Sequence, residues 1–385
     1  MYRLLFASCL CLLCACAHAE QPRARDFGVP FDGTPGKLNA ITDVPGVIVG
    51  EVTLVKDLAD GRRVRTGVTA ILPRGRATLD TPVFGGWYAL NGNGEMTGTT
   101  WLQTSGQLGG PIMLTNTHSV GLVRDALIDY RVKAGGTDAE GYWWSLPVVA
   151  ETFDGYLNDI NGFHVQQKDV FEALDSANDG PVAEGSAGGG TGMICHEFKC
   201  GTGTSSRRVR IGDNEYTVGV LVQANYGLRR SLLIAGVPVG KYLTEDSFRS
   251  AGNSRATDTG SIIIVVATDA PLLPNQLKRI AERASMGLAR VGSYSGNGSG
   301  DIFVAFSTAN PEAMPGKTLN QVDFIGNDHL DGLFEATVEG VEESIINSMI
   351  AAHDMEGNQG HRVKAISHPA LIELLKRFNR YQLLH

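Results

Sequence analysis

The chain is poor in cysteine where a folded domain would use it. Of its six cysteines, four fall within the first sixteen residues, which leaves Cys195 and Cys200 for everything that follows. That excludes a scaffold held together by many disulfides. It also argues against a zinc site, since His196 is the only other soft ligand nearby and no second Cys/His pair follows. Positive charge is short as well: 33 Lys and Arg stand against 41 Asp and Glu, for a net charge of −8 and an isoelectric point near 5.6. Nucleic acid is thereby disfavoured as a partner, because phosphate binding needs a basic surface, and a small substrate is expected. No run beyond the first twenty residues is long and apolar enough for a membrane span. The sequence has no G-x-S-x-G elbow, no H-E-x-x-H and no P-loop. The run Gly188-Gly-Gly-Thr-Gly192 does not match the dinucleotide fingerprint and leads into Met193-Ile194, a strand rather than a helix. Its glycines read as turns or close strand packing.

The first residues, by contrast, are apolar. Arg3, the stretch Leu4 to Cys16 and Ala17-His-Ala19 read as a signal peptide over residues 1–19, too short for a stable anchor. The expectation is a soluble protein exported to the periplasm, with lipid attachment at Cys16 as an alternative. An oxidising compartment permits a disulfide between Cys195 and Cys200, whose spacing suits a tight hairpin.

Short β-branched runs at Val47–Val49, Val68–Leu72, Pro111–Leu114, Thr217–Val222, Ser261–Ala267 and Ile302–Phe306 predict strands. Apolar residues at helical spacing predict helices over Asn275–Val291, Leu333–His353 and His368–Tyr381, the first preceded by Pro274. Strands followed by helices suggest sheets sandwiched by helices. Lys241–Gly260 is polar, lacks a repeating apolar face, and is expected to be an exposed linker dividing two pieces of one fold.

That linker ends in Gly260 and runs directly into Ser261 at the head of a wholly apolar strand. One reading is a loop entering a buried strand. The other is a self-cleavage site: cutting Gly260–Ser261 would give Ser261 a hydroxyl nucleophile and a free amine as its base. An α-amine titrates at about 7.7–8.0 in model peptides, so it is available as a base near neutral pH. Asn253-Ser254 is a rival cut site, but no strand follows to hold its serine rigid.

Motifs along most of the chain favour the second reading: Ile41-Thr-Asp-Val-Pro-Gly-Val47, Asn91-Gly-Asn-Gly-Glu-Met-Thr-Gly98, Asn116-Thr-His-Ser-Val-Gly121, Pro147-Val-Val-Ala-Glu-Thr-Phe-Asp-Gly155, Leu157-Asn-Asp-Ile-Asn-Gly162, Val222-Gln-Ala-Asn-Tyr-Gly227, Gly260-Ser261 and Ser299-Gly-Asp-Ile-Phe303. In these the chain resembles the self-processing aminopeptidases that include the L-aminopeptidase D-Ala-esterase/amidase and the β-peptidyl aminopeptidases. The resemblance implies a cut into an α chain (20–260) and a β chain (261–385) that remain one domain. It implies a four-layer αββα sandwich similar to N-terminal-nucleophile hydrolases, with different strand connectivity. Homo-oligomers of the αβ unit, commonly four, and no metal or organic cofactor are also implied.

Carried over by residue, Ser261 is the nucleophile for self-cleavage and for substrate attack. Asn225 would donate to the oxyanion, Glu151 would bind the substrate ammonium, and Ser299 with Asp301 would orient the nucleophile and its amine. Taken singly, Asn225 reads as a turn residue, Glu151 as a surface carboxylate, and Ser299 and Asp301 as loop polar groups. His118 tempts a Ser-His-Asp reading, but the Ser261 amine makes a histidine base unnecessary and His118 reads as structural. Trp143 and Trp144 either line a substrate pocket or belong to the core. Some relatives carry tyrosine where this chain has Phe153; a phenyl ring cannot donate to the oxyanion, which tilts the reading toward β-amino-acid substrates. The alternatives are an L-aminopeptidase with D-amino-acid esterase or amidase activity, and a non-catalytic exported binding protein of the same fold.

Overall fold

Residues 261–268 are β-branched almost throughout, a composition suited to a pleated surface buried on both faces. A computed structural model of the chain makes them a fully buried strand; it describes residues 22–77, 81–135, 140–245, 247, 258–313 and 318–383. In chain order the strands are β1 (Ile48–Asp57), β2 (Arg63–Arg76), β3 (Val83–Gly92), β4 (Gln107–Leu108), β5 (Ile112–Asn116), β6 (Val148–Thr152), β7 (Ile194–Cys195), β8 (Phe198–Lys199), β9 (Thr202–Ile211), β10 (Asn214–Asn225), β11 (Ser261–Thr268), β12 (Gly300–Ser307), β13 (Met355–Glu356) and β14 (Arg362–Val363). The helices are α1 (Thr99–Ser105), α2 (Val120–Lys133), α3 (Gln167–Ser176), α4 (Val239–Tyr242), α5 (Pro274–Arg290), α6 (Asp331–Ile350) and α7 (His368–Arg377).

Two sheets stack. One has the order β1-β2-β5-β6, the other β4-β3-β12-β11-β10-β9, and β11 pairs antiparallel with β10 and parallel with β12. Strand alternation assigns each residue to a layer. Ile262, Ile264 and Val266 of β11 pack with α5 and α6, whereas Ile263, Val265 and Ala267 meet Ile71, Ile112, Leu114 and Ala150 of the other sheet. On the far side, Val68, Ala70 and Met113 pack with Val123 and Leu127 of α2 and Val170 of α3. Three apolar layers thus hold four layers of structure, the expected αββα sandwich. Each fully buried Ile or Val contributes roughly 1.5–3 kcal/mol. Gln223 of β10 stitches the sheets together, its Nε2 donating to Thr115 O at 2.8 Å and Thr152 Oγ1 at 2.9 Å.

The six expected strands are present, several of them longer than the β-branched runs, and the three expected helices start and stop within a few residues of expectation. The expected linker needs correction at its ends: Lys241 and Tyr242 close α4, and Asp258 is buried at 3 % exposure rather than solvated. Most of residues 246–257 lies outside the described residues, as do the proposed signal peptide and Cys16. The Gly188–Gly190 run is close packing, as expected: an ideal Cβ would lie 2.1 Å from Gln223 Oε1 at Gly189 and 2.3 Å from Thr202 N at Gly190. Among the described residues no helix is long and apolar enough to cross a membrane.

Candidate active site

Sheet register sets the site. Asn225 of β10 lies opposite Ser261 at the start of β11, and Ser261 lies beside Gly300 of β12, with Asp301 next along. Ser261 shares its parity with Ile263 and so points toward the facing sheet. It is buried, at 5 % exposure. The side chain of Asn225 spans to that sheet: Nδ2 donates to Phe153 O at 2.9 Å, while Oδ1 accepts from Ile194 N–H at 3.0 Å. An amide held at both ends keeps its second N–H in a fixed direction, which is what a preorganised oxyanion donor needs.

The bond before Ser261 is held with equal care. Gly260 O accepts from Gly300 N–H at 3.0 Å. Asp258 Oδ1 accepts from Gly227 N–H at 3.1 Å and from Gly260 N–H at 3.4 Å. Glycine at 260 is required by crowding, since an ideal Cβ would lie 2.3 Å from Asn225 O and 2.4 Å from the Tyr226 Cα, and its φ is outside the left-handed region. This glycine therefore answers a close approach rather than a need for left-handed backbone.

Asp301 is gripped twice, by Ser299 Oγ at 2.7 Å on Oδ1 and by Ser295 Oγ on Oδ2. The β3–β12 register shifts between Asp301 and Ile302, a bulge that re-aims the strand end. Burial raises the Asp301 carboxyl above its ordinary range, and the two serine donors pull it part of the way back. Ser295 sits at φ 52°, a left-handed conformation that side chains rarely adopt and that marks strain at this corner. Tyr226 is buried alongside, and its hydroxyl has no hydrogen-bond partner among the described residues.

Glu151 comes from β6 in the other sheet and is 4 % exposed. Its Oε1 accepts from Glu95 N–H at 3.0 Å and its Oε2 from Thr117 Oγ1. Burial raises its pKa, against the lowering effect of those two donors. The segment carrying Glu95 is wedged between Glu151 and β12, for an ideal Cβ on Gly94 would lie 3.3 Å from both Glu151 Oε1 and the Gly300 Cα. Register thus sets Asn225 and Ser261 side by side on the face toward the other sheet, and the Gly94 contacts bring Glu151 to the Gly300 end of β12, while Asp301, with Ser299 on its carboxyl, pairs in register with Ile262 and shares the parity of Phe303 on the helix-facing side. Behind Glu151, Asn116 caps the turn bearing Thr117 and donates to Thr66 Oγ1 at 2.7 Å, and Asp154 accepts from Asn158 Nδ2 at 3.0 Å. Burial pushes the Asp154 carboxyl up to about 7.

Two expected pocket residues separate. Phe153 follows β6 at the site, half exposed, with its carbonyl under Asn225. Trp144 packs edge-on against Trp101 at 5.6 Å in a cavity of about 210 Å³ that reaches Val148, at the opposite end of β6 from Thr152, and none of Asn225, Glu151, Ser261, Ser299 and Asp301 lines it. His118 is exposed and stacks on Phe163. Cys195 and Cys200 are bonded, their Cα atoms 5.6 Å apart, across the β7–β8 hairpin whose Ile194 N–H holds Asn225. Sequence reasoning missed Asp258, Ser295, Thr117 and the Gly300 N–H. The Asp-x-Gly spacing before Ser261 is a turn signal that points to Asp258; backbone donors and Ser295 leave no such trace.

Residues 39–363 match the model of peptidase family S58. The chain is 50 % identical over 383 residues to the β-peptidyl aminopeptidase BapA of Sphingosinicella microcystinivorans, covering 96 % of each chain. Among solved structures it superposes on the L-aminopeptidase D-Ala-esterase/amidase of Ochrobactrum anthropi with a TM-score of 0.87 and 47 % identity, over 94 % of this chain and 99 % of that one. On a Burkholderia sp. β-aminopeptidase the TM-score is 0.83 with 49 % identity, over 92 % and 99 %. The O. anthropi enzyme is a serine aminopeptidase with a variant of the N-terminal-nucleophile hydrolase fold. With this fold, this coverage and this family match, the chain belongs to peptidase family S58 and is an aminopeptidase.

Proposed function

We propose that the chain cuts itself between Gly260 and Ser261, and that the freed Ser261 removes N-terminal β-amino-acid residues from short peptides, amides or esters. The observation that carries this reading is the row Asn225–Ser261–Gly300 across three hydrogen-bonded strands, with the buried Glu151 carboxylate facing it from the other sheet. In turnover the Ser261 hydroxyl attacks the substrate carbonyl and its proton passes to the Ser261 amine. The oxyanion is met by Asn225 Nδ2–H, and the proton then goes to the departing amine as the C–N bond breaks. Water hydrolyses the resulting acyl-enzyme. Glu151 pairs with the substrate ammonium, which makes an unblocked N-terminus a condition of binding. Asp301, fixed by Ser295 and Ser299, orients the nucleophile and its amine.

The β-amino-acid preference is supported by the BapA and Burkholderia relatives and by Phe153, which offers no second oxyanion donor. The O. anthropi likeness favours the alternative, an L-aminopeptidase with D-amino-acid amidase or esterase activity. Export under residues 1–19 to the periplasm and oligomers of the αβ unit complete the proposal. Intact mass of the wild type and Ser261→Ala after expression with export is the first test. Two fragments, one starting near Glu20 and one at Ser261, are expected from the wild type and a single chain from the variant; an uncut wild type would point to the binding-protein alternative. Kinetics on matched β- and α-aminoacyl amides then choose between the enzyme readings, an equal or reversed preference removing the β assignment.

A further inference from the structure

In the uncut chain the Gly260 carbonyl lies in the plane of the sheet and points at β12, where Gly300 N–H donates to it. Asn225 is on β10, the opposite neighbour of β11. Adjacent strands run about 4.8 Å apart, so the Asn225 amide would have to cross the β11 backbone to reach that oxygen. It is turned instead toward Phe153 in the other sheet. The peptide before the scissile bond has its own anchor: the buried Asp258 carboxylate ties Gly260 to Gly227, and an ideal Cβ at Gly296 would sit 2.7 Å from the Asp258 Cβ, so the turn is pressed on the loop before β12.

We infer that self-cleavage and substrate turnover use separate oxyanion donors, the Gly300 N–H for the Gly260 carbonyl and Asn225 for the substrate carbonyl, with Asp258 as a positioning residue for the first reaction alone. The inference rests on the self-processing reading. In the first reaction the bond from Ser261 Oγ to the Gly260 carbonyl carbon forms, and the charge gathers on an oxygen already held by Gly300 N–H. The Gly260–Ser261 C–N bond breaks, and the hydroxyl proton ends on the released amine. Water then hydrolyses the ester to the Gly260 carboxylate and the Ser261 hydroxyl. From that point Asp258 belongs to the α chain's free tail, no longer joined to the nucleophile.

The test follows self-cleavage by intact mass over time in the full-length wild type, Asp258→Ala, Asp258→Asn and Asn225→Ala. It also measures turnover of a β-alanyl anilide per cut molecule, with thermal melting as the check on folding. Asp258→Ala is expected to cut at least about 10-fold more slowly, the effect of losing a charged acceptor, while its cut fraction turns over at the wild-type rate. Asp258→Asn retains a carbonyl acceptor and is expected to restore most of the cutting rate. Asn225→Ala is expected to cut at close to the wild-type rate and to lose about 10²–10³-fold in kcat. An Asn225→Ala chain that melts normally yet stays whole beside a cut wild type would overturn the division of donors. So would an Asp258→Ala chain that cuts normally or whose cut fraction is equally slow in turnover. A wild type that never cuts would sink the self-processing reading and take the division with it.

Discussion

In the six-stranded sheet the groups proposed to react are set by backbone register: Asn225, Ser261 and Gly300 are neighbours because β10, β11 and β12 are hydrogen-bonded there. In the four-stranded sheet the one group at the site, Glu151, is held by side-chain and loop donors, Thr117 Oγ1 and Glu95 N–H. The two sheets also differ in what lies beneath them. β11 rests on Ile and Val on both faces, whereas β6 runs out over a buried polar cluster of Thr66, Asn116, Asp154 and Asn158. A nucleophile placed by ladder geometry shifts only if the sheet breaks. A carboxylate placed by a chain of polar contacts is tunable residue by residue, and the side proposed to recognise substrate is the one that can be altered without unfolding the protein.

The widest separation between the two sides should come from Glu151→Gln. Losing the charge proposed to meet the substrate ammonium is expected to lower kcat/KM by about 10²-fold, mostly through KM, because one partner of a desolvated pair is left alone. The wild-type profile sharpens the assignment. Below its pKa Glu151 is neutral and cannot pair, so kcat/KM falls as pH drops through that value; burial puts the fall above the ordinary carboxylate range. Glu151→Gln should lose that limb of the kcat/KM profile. An unchanged limb would show that another group recognises the amine.

How much of this was legible in the sequence divides along the same line. β11 and β12 announce themselves by β-branched composition, and α5 by its apolar spacing. β3 was missed because Gly85 and Gly86 interrupt it; Gly86 admits α5, since an ideal Cβ there would lie 2.4 Å from Lys278 N, and Gly85 admits Leu102 of α1, 3.0 Å from its own ideal Cβ. β9 was missed because Ser205, Ser206 and Arg207 sit buried in its middle, where Arg207 pairs with Glu343 at 2.7 Å. Nothing local in a sequence shows that a partner 136 positions on will neutralise such a residue. The site residues were reached through motif resemblance, while the contacts that hold them (Thr117 on Glu151, Ile194 on Asn225, Gly300 on Gly260) depend on pairings between distant segments.

A smaller effect tests the polar support itself. With Asp154 at about 7 in the fold and 3.8 as a free carboxyl, the folded chain binds more protons between those values. Its contribution to stability is therefore full below about 3.8 and is lost as pH rises toward 7. Asp154→Asn keeps a neutral group there. Its melting temperature should gain on the wild type by roughly 3 °C between pH 5 and pH 8. Parallel melting curves for the two proteins across that range would mean that the carboxyl is already ionised in the fold.

The smallest expected change is at Phe153, where the segment after β6 meets Asn225 of the six-stranded sheet. Phe153 contributes its carbonyl to Asn225 and leaves half of its ring in solvent. Phe153→Tyr therefore leaves the backbone contact intact, and neither self-cleavage nor melting should move. What it adds is one hydroxyl at the end of that ring, offered as a second oxyanion donor under the proposed function. That is expected to raise turnover of α-aminoacyl amides relative to β-aminoacyl amides by about fivefold, the weight of one modest hydrogen bond. A rise for both substrate classes alike would make the hydroxyl a general oxyanion donor and take the β preference away from this residue. No change in either would place the ring off the substrate's path, leaving the Phe153 carbonyl, through Asn225, as its whole contribution to the site.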